Sequence, residues 1–176
     1  MQKIAARDAI FSAIVEAPFG AVGVRTEDGA VRELTYLPAS FVEKAPTDAV
    51  AEEAARQVGR YIEEPDFRFD LPLAVVGTEF QRKVWQVISA IPRGQVRTYA
   101  QVANTIRSAP RAVGQACGNN WFPIVIPCHR VTATGGLGGF AHHDDEHGFH
   151  LNVKRWLLRH EGVLPMGFDF DGPQAS

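Results

Sequence analysis

Cys128 and His129 stand side by side in the run Ile124-Val125-Ile126-Pro127-Cys128-His129-Arg130-Val131. The thiolate is the working nucleophile of a cysteine, and in a buried setting it needs a proton acceptor or a positive neighbour to form. An imidazole is such an acceptor, and it needs an orienting group on its second ring nitrogen. Glu161, closing the last helical pattern of the chain, is a carboxylate of the right type. The apolar triplet Ile124-Val125-Ile126 reads as a buried strand ended by Pro127. Successive side chains of an extended chain point to opposite faces, so Cys128 and His129 are expected to communicate through a water or a bend at Pro127. By residue type alone, two other uses stay open: a small buried residue, as most free cysteines are, or the nucleophile of a hydrolase with His129 and Glu161. Cys117 reads as a packed small residue between Ala116 and Gly118. His143 and His147, with Asp144 or Glu146 nearby, would offer two imidazoles to one metal if they lay on a helix. Gly148 and the crowded acids favour a solvated loop there, and no metal site is expected.

Such groups need a frame, and the sequence supplies signals for one. Thr78-Glu79-Phe80-Gln81 is a capping box that opens a helix with Phe80, Val84, Trp85, Ile88 and Ile91 on its apolar stripe, stopped by Pro92-Arg93-Gly94. Thr98-Tyr99-Ala100-Gln101 is a second capping box for a short helix. After a tight turn, Pro110 starts a third helix, Pro-Arg-Ala-Val-Gly-Gln-Ala-Cys-Gly-Asn. Two short helices joined by a tight turn match the helix-turn-helix pattern, whose second helix enters the major groove of DNA. Ala112, Gly114 and Ala116 on that helix would let its backbone approach a partner closely. A final helix holds Val153 to Gly162, with Trp156, like Trp85, on an apolar stripe. Residues 10–37 read as an antiparallel meander with a hairpin at Asp28-Gly29, and residues 48–62 as an amphipathic helix. The stretch from Glu63 to Gly77 reads as the connection between two halves.

The chain has 176 residues, 45% hydrophobic and 22% charged, a composition that excludes disorder and coiled coil. No apolar run reaches the ~18–20 residues of a membrane span, and the opening residues lack a signal-peptide core. Two cysteines are too few for a disulfide scaffold and fit a reducing compartment, so a soluble, cytoplasmic protein with no membrane partner is expected. The net charge of −2 is unevenly spread. Residues 1–77 carry 8 basic and 13 acidic side chains, whereas 78–176 carry 10 and 7. From Phe80 to Phe140 there are 7 basic residues and no Asp or Glu. A surface without carboxylates does not repel a polyanion, which points the second half toward nucleic acid.

The motifs Pro-Cys-His-Arg-Val at 127–131, Arg-Ala-Val-Gly at 111–114, Asn120, and Trp-Leu-Leu-Arg-His-Glu-Gly at 156–162 resemble those of the O6-alkylguanine-DNA alkyltransferases, also called methylated-DNA–protein-cysteine methyltransferases. The resemblance runs from about Phe80 to Gly162, and more loosely into Glu16–Gly29. It implies an α+β fold: a ribonuclease H-like α/β domain with an antiparallel meander (residues 1–76), a winged-helix-like domain with a helix-turn-helix (77–165), and a tail (166–176). It further implies DNA repair by one irreversible transfer of an alkyl group from O6-alkylguanine, flipped out of double-stranded DNA, to Cys128, with O4-alkylthymine as a second candidate substrate.

In that reading His129 acts as base through a water and Glu161 holds its ring. Tyr99 gives a proton to the departing guanine and helps rotate the nucleotide, and Asn120 bridges the recognition helix and the Cys128 segment. Arg111 fills the vacated stack, and the recognition helix, with Ala112 and Gly114, lies in the minor groove; Arg130 is expected to contact DNA. Val131, Trp121, Pro123, Phe140 and Ala141 line the pocket, the carbonyls of Cys128 and Val131 accepting from the guanine amino group. The protein would act as a monomer without cofactor. Phe140-Ala141 replaces the tyrosine–serine pair of the resembled family, removing a hydroxyl from the pocket. A non-catalytic protein that recognises alkylguanine in DNA is the alternative, and the intact Cys128-His129 pair argues against it.

Overall fold

Asp28 and Gly29 both have positive φ, 52° and 76°, the backbone of the hairpin turn whose twist matches that of the flanking strands. They join β2 (Gly20–Glu27) to β3 (Ala30–Leu37), and β1 (Ala13–Ala17) pairs on the other side of β2, giving an antiparallel sheet in the order β1-β2-β3. The computed structural model describes residues 8–138 and 148–163, and the chain divides into two compact units at Val75–Val76.

In the first unit Val22 and Val24 of β2 face Tyr36 and Leu34 of β3, and all four are buried. At Gly23 a Cβ would stand 2.7 Å from the Phe11 ring, so only glycine lets that ring cover the strand. Helix α1 (Ala49–Glu63) starts where the Asp48 carboxylate accepts from the Ala51 N–H at 2.8 Å and from the Thr26 hydroxyl at 2.5 Å. Its stripe of Ala51, Ala54, Val58 and Tyr61 is buried. The stretch from Glu64 to Val75 does more than connect. The Gln57 side chain holds both backbone groups of Asp70, and Val31 exchanges backbone hydrogen bonds with Pro72 and Ala74, laying the segment alongside β3.

The second unit begins with α2 (Glu79–Ser89), and the reciprocal capping box of Thr78 and Gln81 is formed as its sequence requires. Val84, Trp85 and Ile88 are buried; Phe80, expected on that stripe, lies in the first turn and is 38% exposed. Helix α3 (Tyr99–Thr105) has a second complete capping box, Thr98 with Gln101. Pro110 opens α4 (Pro110–Gly118) at a position where its missing N–H costs nothing. The Trp85 indole N–H donates to the Ala116 carbonyl at 2.9 Å and fastens α4 to α2. Ala116 is therefore turned into the domain and not toward a partner. Two short strands, β4 (Arg97–Thr98) and β5 (Val131–Thr132), pair in parallel. Helix α5 (Phe149–His160) closes the described chain, with Leu151, Val153, Leu157 and Leu158 buried. Trp156 is half-buried and stacked on His160 at 4.6 Å, a surface ring pair and not a core residue.

The result is a mixed α/β fold with a three-stranded antiparallel sheet and helices. No helix among the described residues is long and apolar enough to cross a membrane.

Candidate active site

The expected strand at Ile124–Ile126 does not form. Instead the chain makes a tight loop held by one side chain. The Asn120 carbonyl oxygen accepts from the Phe122 N–H at 2.9 Å, and its amide nitrogen donates to the Ile126 carbonyl at 2.8 Å and to the Cys128 sulfur at 3.2 Å. Ile124 takes a left-handed φ of 74° inside that loop, which no ladder strand permits. Pro127, with φ −82° and ψ 66°, is the middle residue of an inverse γ-turn in which the Cys128 N–H reaches the Ile126 carbonyl at 2.8 Å. Both lone pairs of that carbonyl are thereby used. Cys128–Arg130 then form one turn of 3-10 helix, so Cys128 and His129 are separated by helical rotation and not by strand alternation. The two side chains do not hydrogen-bond each other among the described residues.

His129 points into a buried ion-paired array. Its Nε2 lies 2.8 Å from Glu161 Oε2. Arg130 Nε and Nη2 donate to the two oxygens of the same carboxylate at 2.9 and 3.0 Å, and Arg130 Nη1 donates to the Ile91 carbonyl at 2.7 Å. Glu161 is completely buried and His129 nearly so. The helix ending explains this placement. Glu161 caps α5, and Gly162 takes φ 84°, the left-handed turn that glycine allows, so the chain leaves while the carboxylate stays inside. Arg93 donates to the Glu161 carbonyl at 3.1 Å. Burial pushes the His129 imidazole below its ordinary pKa, with Glu161 opposing that shift. A neutral ring donating from Nε2 to Glu161 leaves Nδ1 as an acceptor, and Nδ1 is buried without a hydrogen bond to the described protein. Arg130, expected on DNA, is spent internally: a buried carboxylate must be paired, and Arg130 pairs it.

Cys128 is 4% exposed. The neighbouring Cys117 thiol and burial hold its pKa well above the ordinary value, while the Asn120 N–H and the Lys154 charge pull the other way. The resting sulfur is a thiol. Tyr99 is the first residue of α3, set beside β5 by the β4–β5 pairing. Burial, and then the nearby sulfurs of Cys117 and Cys128, push its phenol upward, so it stays protonated and able to donate. At Gly138, with φ 75°, a Cβ would stand 3.0 Å from the Tyr99 ring, which fixes glycine there.

Two residues in this site were not singled out as functional by type or spacing. Lys154 is fully buried, donates to the Val131 and Leu137 carbonyls at 2.9 and 2.7 Å, and lies 5.9 Å from the Tyr99 ring centre. Burial lowers its pKa to about 8. Its signal was available: Lys154 stands three after Leu151 and four before Leu158, on the apolar stripe of α5. Cys117, read as packing, is half-buried near the end of α4 and helps raise the Cys128 pKa. The Val131 carbonyl, assigned to a ligand by the resemblance, already accepts from Lys154. Arg111 is exposed on α4, Ala112 and Gly114 are half-buried, and a Cβ added at Gly114 meets nothing within 4 Å. Trp121 and Pro123 lie half-buried in the Asn120 loop. Phe140, Ala141, His143 and His147 lie outside the described residues.

Residues 79–163 match the family model described as 6-O-methylguanine DNA methyltransferase, DNA binding domain. The methylated-DNA–protein-cysteine methyltransferase of Methanosarcina acetivorans is 35% identical over 164 residues, covering 87% of this chain and 99% of that protein. The solved O6-methylguanine methyltransferase of Mycobacterium tuberculosis is 31% identical with a TM-score of 0.69, covering 87% of this chain and 93% of that one. A Mycobacterium tuberculosis OGT solved in complex with DNA is 30% identical with a TM-score of 0.70, covering 87% and 94%.

Proposed function

Since the chain belongs to the methylated-DNA–protein-cysteine methyltransferase family and carries out alkyl transfer in DNA repair, we propose that Cys128 is the sulfur that receives the alkyl group. The donor is O6-alkylguanine in double-stranded DNA, flipped from the helix into a pocket beside Tyr99. The observation that carries this reading is the Asn120 amide at 3.2 Å from the Cys128 sulfur, next to a His129–Glu161 pair whose outer nitrogen is open.

The residues around the sulfur support the following steps. His129 Nδ1, through one water, takes the thiol proton, and the Glu161 carboxylate steadies the resulting imidazolium. The Asn120 N–H and the Lys154 charge steady the thiolate. The sulfur attacks the saturated carbon on guanine O6, an S–C bond forms, the C–O bond breaks and its electron pair stays on the base. The Tyr99 phenol donates a proton so that guanine leaves neutral, a contribution of roughly 10²–10⁴-fold for a positioned acid. The proton taken up by His129 passes through water to Tyr99, so the net change is thiol plus alkylguanine to thioether plus guanine. No group among the described residues of the site cleaves a thioether, so in this reading each molecule acts once.

Arg111, exposed on α4, fills the gap left by the flipped base and offsets part of the few kcal/mol of unstacking. In this reading α3 and α4 are the helix-turn-helix of a winged-helix-like domain, the first unit is ribonuclease H-like, and the protein works as a monomer in the cytoplasm.

Intact mass tests the proposal. Incubation with an oligonucleotide bearing O6-methylguanine is expected to add one methyl group, on the peptide holding Cys128. Cys128→Ala should take up none and still bind duplex, because phosphate contacts lie elsewhere. Binding without a mass gain in the unsubstituted chain would favour a recognition protein without chemistry.

A further inference from the structure

We propose that Arg130 is a positioning residue of the site: by holding Glu161 as a charged acceptor it keeps the His129 proton on Nε2 and so leaves Nδ1 bare. The use of that bare nitrogen rests on the alkyl transfer proposed above; the state of the array does not. Three donors converge on one completely buried carboxylate. Glu161 Oε1 accepts from Arg130 Nε at 2.9 Å, and Oε2 accepts from Arg130 Nη2 at 3.0 Å and lies 2.8 Å from His129 Nε2. A guanidinium that grips both oxygens fixes the plane of the carboxylate as well as matching its charge. The remaining arm, Nη1, donates to the Ile91 carbonyl at 2.7 Å, which anchors the guanidinium on the chain just after α2. Two residues along, Arg93 donates to the main-chain carbonyl of Glu161 at 3.1 Å. Glu161 is thus held at both ends, its side chain by Arg130 and its main chain by Arg93. The Arg130 side chain is only 14% exposed.

A neutral imidazole carries its proton on one nitrogen, and the partner of the other decides which. An ionised carboxylate has no hydrogen to give, so the ring must donate to it from Nε2. A protonated carboxyl can donate instead; the ring then accepts at Nε2 and keeps its own proton on Nδ1. Which form is present turns on charge. A carboxylate out of water without a cation is costly, and it takes up a proton rather than stay ionised. Arg130 supplies the cation by direct contact, so guanidinium, carboxylate and neutral imidazole sum to zero. Lys154, the other buried cation here, donates to the Val131 and Leu137 carbonyls, which leaves the neutralising of Glu161 to Arg130. If the guanidinium charge is removed, one proton from solvent replaces it on Glu161. The imidazole then holds as many protons as before, but on the wrong nitrogen. Nδ1, buried with no hydrogen bond to the described protein, becomes a donor and is no longer able to receive a proton.

The full-length chain is labelled with nitrogen-15 in its histidines, and the His129 ring signals are identified by their loss in His129→Gln. Nitrogen chemical shifts separate a bare ring nitrogen from a protonated one. The rate of methyl uptake from an O6-methylguanine oligonucleotide and the affinity for an undamaged duplex are measured on the same samples. In the unsubstituted chain Nε2 is expected protonated and Nδ1 bare. Arg130→Met should reverse the two and slow methyl uptake by roughly 10²-fold or more, the lower end of what a positioned base contributes, with duplex affinity retained. Arg130→Lys restores a cation without the two-point grip, and should return the proton to Nε2 with a rate between the other two. If Arg130→Met does not fold, the double variant Arg130→Met with Glu161→Gln, which buries neither charge, is read in its place; its amide serves either tautomer, so both should appear. The proposal is overturned if His129 keeps its proton on Nε2 alone in the folded Arg130→Met chain or in the double variant, or if Arg130→Lys takes the reversed form. It is equally overturned if Arg130→Met changes duplex affinity alone, which would return Arg130 to the DNA contact expected from the sequence. Methyl uptake by the unsubstituted chain reads the proposed function separately: a chain with Nδ1 bare that accepts no methyl sinks that function and leaves the role of Arg130 standing.

Discussion

The Glu161 carboxylate shares its two oxygens between one imidazole and one guanidinium in a setting that water does not reach. Removing one partner of such an array leaves the others charged and uncompensated, which is worse than never having buried them. Glu161→Ala is expected to cost about 3–5 kcal/mol, read from the urea midpoint, because Arg130 keeps its charge while losing its counter-ion. His129 sets a pH dependence. Its folded pKa is depressed, so below the ordinary 6.5 the unfolded chain binds a proton that the folded chain refuses. Stability from this group is therefore present above pH 6.5 and lost as pH falls. The urea midpoint should drop between pH 7 and pH 5, and His129→Gln should flatten that drop. An unchanged slope in the variant would mean that the imidazole is not held neutral.

Elements carry these residues into place, and α5 does so with a charge in its core. Lys154 donates to two carbonyls on the segment that follows the 3-10 turn, so it works as a strut between α5 and the chain leading away from Cys128. Lys154→Met relieves the cost of burying an ammonium, visible in the pKa near 8, but orphans two carbonyls. The second effect should win by roughly 1–3 kcal/mol, seen as a lower thermal midpoint, and methyl transfer should slow with it. Which elements the sequence revealed follows a physical pattern. The turn at Asp28-Gly29, both capping boxes and the start at Pro110 were legible because each depends on residues within four positions of one another. The Ile124–Ile126 run was misread because an apolar triplet has no period, and what shapes it is the side chain of Asn120 outside the run. Glu161 was offered as the partner of His129 by residue type and then by the resemblance, yet the turn of Arg130 onto the same carboxylate was missed. Lys154 was missed for the same reason: its partners are distant in sequence, and residue type does not announce a partner.

For the whole molecule, the uneven charge is the property with the longest reach. The stretch from Phe80 to Phe140 lacks any Asp or Glu, and Lys83, Arg107 and Arg111 within it are exposed. If these three meet phosphates, the logarithm of duplex affinity should fall against the logarithm of salt with a slope of about −2 to −4. A slope near zero, measured by fluorescence anisotropy on an undamaged duplex, would remove the electrostatic argument for DNA on this face.

Asn120 leaves one consequence to draw. A single short side chain with two torsions joins the end of α4 to the sulfur, with no compliant linker between them. If Cys128 is the acceptor proposed above, a load on that helix would reach the sulfur through this one side chain, and grip and reactivity would share one mechanical stroke.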